Sequence, residues 1–436
     1  MKMSSPITPS MPDSAGAGRD DNAPPGLPTL PAEHEGFDPQ RLQQAMSLLE
    51  QGRSVGAYPG AVALVARHGA VVASCALGLA QHEPPRPMTL DTIVDLASVT
   101  KVVAGVTAVL VLLDAGVWCL DDAVARFLPE FAGRDKRTVT LRHLITHTAG
   151  LPPWLPCYTA ARTAEETFAY ICALELETRP GTQVQYSDLG MALIRALVRR
   201  VTGEDLPALL QRTLFTPLGM RDTEYRPAPT KRERMAATEY GNRFEQGIVA
   251  RAGLRFDGWR THLLVGEVND GNAHYALGGV SSHAGLFAPI GDLARFGQLY
   301  LQQGRWEGRV VISPAAIAAA TRLQTRGLNE AYGLGWRLAR RGPDEAELGE
   351  PVRSTLTHAI FLQDPTAFPA LPWAGDLLSA RTFGHTGFTG TSLAIDPERD
   401  LVLILLTNRI HPDADRQGVE RVRARWHNAV VAAIVS

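Results

Sequence analysis

The chain has 436 residues, of which 45% are hydrophobic and 20% charged, ample apolar material for one large domain or two intergrown ones. A formal net charge of −2 gives no electrostatic case for nucleic acid or an anionic membrane surface as a partner. Four cysteines, Cys75, Cys119, Cys157 and Cys172, show no C-x-x-C spacing and no histidine pattern beside them, so they read as free, mostly buried thiols and imply no metal.

In chain order, residues 1–36 are rich in Pro, Ser, Gly and Asp and hold no apolar core of secretory-signal length, which predicts a disordered tail on a cytoplasmic protein. Ordered structure is expected from Phe37. Helical spacing over 39–50 ends at Gly52. Two β-rich runs, 61–67 and 71–77, flank His68-Gly69-Ala70 and predict a hairpin. A helix is expected from Ser98 to Asp114-Ala115-Gly116; its apolar run 102–113 is too short to cross a bilayer and belongs in a core.

Residues 118–300 read as helical and loop-rich, with helices at 141–146, 164–174, 188–201, 206–215 and 292–302 and few strands. Strands are expected at 332–338, 391–395 and 401–406, then a terminal helix over 417–435. The Pro-rich, aperiodic stretch 340–381 is either a lid or a surface excursion. Strand-rich ends around a helical middle predict an α+β body, 37–117 with 301–436, sharing one sheet and carrying a mostly helical insert, 118–300. Active sites commonly lie in the cleft between such parts.

Lys101 is the one lysine within a strongly apolar stretch, three residues after Ser98; Lys2, Lys136 and Lys231 lie in polar segments. Positions i and i+3 share a helix face, so hydroxyl and amine can meet. Burial disfavours the ammonium form, which a lysine can shed and an arginine cannot. Two further elements accompany this pair. Tyr186 and Asp188 stand two apart just before a helix, and Phe383-Gly384-His385-Thr386-Gly387-Phe388 is a glycine-rich approach to a strand whose N–H groups can face an oxyanion. His143, His147 and His283 are read as structural.

In this order and spacing the three elements resemble the serine β-lactamase and penicillin-binding protein superfamily, with its S-x-x-K, Y-x-N or S-D-N, and K-T-G motifs. The tyrosine in the middle motif is most similar to the branch of class C β-lactamases, D-alanyl carboxypeptidases and β-lactamase-fold esterases. The resemblance implies an antiparallel sheet flanked by helices, the β-lactamase/transpeptidase-like fold. It also implies Ser98 as nucleophile, Lys101 and Tyr186 as the proton-handling pair, and the N–H groups of Ser98 and Phe388 as oxyanion hole. Asp188, His385, Thr386 and Gly387 would bind substrate, with no metal or cofactor.

Two positions depart from the family pattern. Asp188 replaces asparagine; it cannot donate an amide hydrogen bond and can instead hold Lys101 charged. His385 replaces lysine and offers no fixed positive charge for a substrate carboxylate. The expectation is therefore a serine hydrolase that takes a small ester or amide through an acyl-enzyme, esterase-like activity being favoured. A D-alanyl-D-alanine carboxypeptidase or β-lactamase acting on a lactam is the alternative, followed by a non-catalytic scaffold of the same fold.

Overall fold

The computed structural model describes residues 26–339, 373–414 and 416–436. Helix α1, Pro39–Ser54, starts where the Asp38 side chain accepts the Arg41 N–H at 3.0 Å and proline fills the first turn, and it buries Leu42, Ala45 and Leu49 along one face. Strands β1, Gly60–Arg67, and β2, Ala70–Gln81, form the predicted hairpin. Its turn residues, His68 at φ 49° and Gly69 at φ 83°, both adopt the left-handed conformation that matches strand twist in a two-residue turn.

Helix α2 runs over Ala97–Asp114 as a 3-10 turn, a π segment over Lys101–Val106 and an α segment. Among the described residues it is the one helix long and apolar enough to cross a membrane, yet 78% of it is buried inside the protein, as a core helix would be. Helices α3, Asp188–Thr202, and α4, Ile290–Leu301, follow. Strands β3, Phe383–Thr386, β4, Ser392–Asp396, and β5, Leu401–Thr407, precede the terminal helix α5, Val419–Ala432.

Seven antiparallel strands make the main sheet in the order Arg337–Leu338, β3, β4, β5, β1, β2, Arg86–Pro87. The two ends of the chain thus share one sheet, with Ala61 opposite Thr407 and Arg67 opposite Leu401. Strand alternation sorts side chains into two cores. Val62, Leu64, Val402, Ile404 and Leu406 join the core that holds α2, α3 and α4. Ala61, Ala63, Val65, Leu401, Leu403 and Leu405 join Leu42 and Leu49 of α1 and Trp426 and Val430 of α5. With both faces covered, β1 is buried along its whole length, which is why its sequence is a continuous apolar run.

Several expectations need correction. Residues 1–25 lie outside the described residues, but ordered structure begins before Phe37: Leu27 is buried, and the Leu30 N–H donates to Val71 O at 3.0 Å. The insert holds a few short strands, as expected: Leu286–Ala288 pairs with Glu224–Tyr225 and with Val94–Asp95 of the body, and Ala237–Tyr240 pairs with Leu263–Val265. These are too short to show a period of two in sequence. Of 332–338 only Arg337–Leu338 pairs with β3, because the chain folds back so that Tyr332 bridges Arg337. Lys136, in a polar segment, is buried and donates to the Cys172 carbonyl. Residues 340–372 of the possible lid lie outside the described residues. Beyond them, Ala374 and Leu378 pack into the α1/α5 core, and Gly375 N–H meets His427 Nδ1 at 3.3 Å. Cys157 and Cys172 are buried, Cys75 half-buried and Cys119 exposed, all four as free thiols.

Candidate active site

The chain enters α2 through a strained residue. Ala97 has φ 46°, a left-handed backbone that a residue with a Cβ rarely adopts. Asp95 holds this kink from both sides: Oδ1 accepts the Ala97 N–H at 2.9 Å and Oδ2 the Asn269 N–H at 2.8 Å. Burial pushes the Asp95 carboxyl up to about 6. The kink delivers Ser98 to a cleft with Lys101 one turn behind it. Lys101 is fully buried and its Nζ donates to Ser98 Oγ at 2.8 Å and to the His283 carbonyl at 3.1 Å.

Helix α3 brings the second element. Ser187 caps it by accepting the Gly190 N–H at 3.1 Å, which places Tyr186 and Asp188 on either side of the cap. Asp188 Oδ1 lies 2.7 Å from Lys101 Nζ as an ion pair. Lys101 Nζ is 4.9 Å from the centre of the Tyr186 ring. The expectation that burial neutralises Lys101 is corrected here. Burial does favour the neutral amine, but the negative charge of Asp188 and the neighbouring Tyr186 outweigh it and hold the ammonium above its ordinary range. Tyr186 is raised as well, burial outweighing the nearby lysine cation.

The histidines around this network support it. His147 stacks against Tyr186 with ring centres 4.5 Å apart, and its Nδ1 accepts the Ser187 N–H at 3.1 Å. Burial and the Lys101 and Arg337 cations push its pKa down to about 3, so it is neutral. His143 takes part in the cap of a short helix, Leu141–Ile145. His283 bridges Ser281 Oγ, 2.6 Å from Nδ1, and Asp270 Oδ1, 3.0 Å from Nε2.

The turn after β3 supplies the third element. Thr389 Oγ1 donates to Asp95 O at 2.8 Å and Thr391 Oγ1 to Leu96 O at 2.9 Å, two staples that fasten this turn to the chain just before Ser98. Gly387 is required by this closeness, since a Cβ there would run into Thr391 Oγ1 and the Leu96 carbonyl. Phe388 is held by the Arg409 guanidinium, 4.7 Å above its ring, whose Nε donates to Phe388 O at 2.7 Å. Among the described residues no protein acceptor takes the backbone N–H of Ser98 or of Phe388. Both remain available to an oxyanion. His385 departs from the expected substrate contact: it is buried, and its Nδ1 faces Thr386 O at 2.8 Å. Burial and nearby cations keep it neutral. Thr386 and Gly387 likewise do not line the cleft, whereas Asp188 and Phe388 do.

The cleft has a volume of about 260 Å³ and is lined by Ser98, Tyr186 and Asp188, by the aromatic residues Trp154, Phe244 and Phe388, and by Glu245 and Asp270. Glu245 is buried, accepting from Tyr158 Oη and the Gly271 N–H, each at 2.7 Å. Asp188, Asp270 and His283 hold potential ligand atoms within 4.8 Å of one another. A metal fits poorly there: both His283 nitrogens are engaged and the Lys101 ammonium already sits against Asp188. Sequence reasoning missed Asp95, Glu245, Asp270, Thr389 and Thr391, none of which stands in a spacing that marks its partners.

The β-lactamase family profile matches residues 46–425. A putative D-alanyl-D-alanine carboxypeptidase of Escherichia coli K12 is 31% identical over 409 residues, covering 88% of this chain and 86% of that protein. Among solved structures, EstCE1, a hydrolase with promiscuous acyltransferase activity, superimposes with TM-score 0.66 at 21% identity, over 90% of this chain and 99% of that one. A penicillin-binding protein homologue from Caulobacter crescentus also gives 0.66, at 23% identity, over 91% and 99%. With a family match across most of its length, and this fold, the chain belongs to the β-lactamase family of serine hydrolases.

Proposed function

We propose that the protein hydrolyses a small carboxylic ester or amide through an acyl-enzyme on Ser98. The observation that carries this reading is the 2.8 Å hydrogen bond from Lys101 Nζ to Ser98 Oγ, at the floor of a cleft faced by two free backbone N–H groups. Ser98 Oγ attacks the carbonyl carbon while its proton passes to the Lys101–Tyr186 pair, which titrates as a unit and must first be short of one proton. The N–H groups of Ser98 and Phe388 hold the tetrahedral oxyanion, where one such donor contributes roughly 3 to 4 kcal/mol. Collapse breaks the bond to the leaving group, which takes the proton back, and water then repeats the sequence on the acyl-enzyme.

Esterase-like substrates are favoured over peptides or lactams that carry a carboxylate, because neutral, buried His385 presents no cation to such a group. The kinship with a protein named as a putative D-alanyl-D-alanine carboxypeptidase keeps that peptidase activity as the second reading. Labelling with a fluorophosphonate followed by peptide mapping tests the proposal. The adduct is expected on Ser98; an adduct on another residue, or none on the folded protein, contradicts it.

A further inference from the structure

Among the described residues, those lining the cleft include three acids, Asp188, Glu245 and Asp270, and no lysine, arginine or histidine. Among the described residues, Asp270 receives two hydrogen bonds on its side chain, from His283 Nε2 at 3.0 Å and the Ala273 N–H at 2.7 Å, both on the same oxygen, Oδ1. Its Oδ2 is left to the cleft, the side chain being 19% exposed. Although burial opposes ionisation, His283 and the hydrogen bonds hold Asp270 below the usual carboxylate range, so it is an anion at neutral pH. Asp188, 18% exposed, turns one oxygen to Lys101 and also borders the cleft. Glu245 is pushed up to about 8, by burial first and by Asp270 next, and therefore adds no charge at neutrality. The rest of the wall is the aromatic trio Trp154, Phe244 and Phe388. Carboxylates set among aromatic faces make an environment for a cation.

Resting on the hydrolase reading above, we propose that the cleft selects an acyl group bearing a free ammonium close to the scissile carbonyl, with Asp270 as the specificity-determining residue. Lys101 Nζ lies within 2.8 Å of both Ser98 Oγ and Asp188 Oδ1, so the acidic wall begins beside the nucleophile. A carbonyl carbon in attack range, about 3 Å from Oγ, carries its α-substituent along that wall. Asp188 is engaged by the buried Lys101 ammonium and Asp270 Oδ1 by His283, so Asp270 Oδ2 is the carboxylate oxygen that remains for the substrate.

The p-nitrophenyl esters of alanine, in both configurations, and of isobutyric acid are near-isosteres that differ in replacing an ammonium by a methyl. At pH 6.5, with spontaneous hydrolysis subtracted, one alanine ester is expected to exceed the isobutyrate in kcat/KM by at least about tenfold. Asp270→Asn is expected to bring that ratio close to one. Equal or better turnover of isobutyrate overturns the proposal, and this holds without the variant should it fail to fold. An unchanged ratio in Asp270→Asn, or a preference abolished by EDTA, also overturns it. If wild type hydrolyses neither ester in a Ser98-dependent way, the hydrolase reading fails. The cation site is then read in the Ser98→Ala protein by calorimetry with alaninamide and isobutyramide, where tighter binding of alaninamide supports it and equal binding overturns it.

Discussion

Asp188 sets the charge of Lys101, and with it the pH at which Ser98 can be activated. A carboxylate 2.7 Å from a buried ammonium stabilises the protonated form, so the base becomes available only as pH rises. Asp188→Asn removes that anion and should lower the pKa of the Lys101–Tyr186 pair. The rising limb of kcat/KM against pH for p-nitrophenyl butyrate is then expected to move to lower pH by about one unit or more. An unmoved limb, or one moved upward, contradicts this assignment. At this scale the Ser98/Lys101 and Tyr186/Asp188 pairs were legible because each is local, three and two residues apart. Asp95 and Asp270 were not: Asp95 meets Asn269 and Asp270 meets His283 through the fold, and an isolated aspartate carries no spacing signal.

Elements meet at the site through the staples between the β3 turn and the start of α2. Thr391 Oγ1 is fully buried on Leu96 O, so Thr391→Val removes that bond at a cost of about 0.5–1.5 kcal/mol, the carbonyl keeping the Val99 N–H. If the staple positions the Phe388 N–H, kcat for the same ester should fall about tenfold with KM little changed. A lower Tm with kcat intact would mean that the staple serves stability alone. The long helices α1, α3, α4 and α5 and the strands β1, β4 and β5 were legible from apolar periodicity and continuous apolar runs. The two- to four-residue strands of the insert were not, because their pairing is decided by distant partners rather than by local pattern. The π segment carrying Lys101 also has no composition of its own, its residues Val102, Val103 and Ala104 reading as ordinary helix.

Across the whole molecule, the cleft wall keeps a buried ionisable carboxyl at some expense to stability. Glu245, in its wall, has a folded pKa of about 8 against an ordinary value of 4.5. The stability contributed by its proton is fully present below about pH 4.5 and is lost as pH rises through about 8. Glu245→Gln cannot ionise, so its urea-unfolding free energy should fall less steeply than that of wild type between those two pH values. Parallel slopes would contradict the burial of an ionisable Glu245. The α+β layout and the sheet shared by both chain ends were legible from the order of elements, whereas the packing of residues 26–36 was hidden by their polar, proline-containing composition. That whole arrangement converges on one serine. Early-time hydrolysis of p-nitrophenyl butyrate by wild type and Ser98→Ala, followed side by side, tests this most directly. Turnover or an acylation burst in wild type and neither in the folded variant is the predicted result; equal hydrolysis by both proteins would contradict the account.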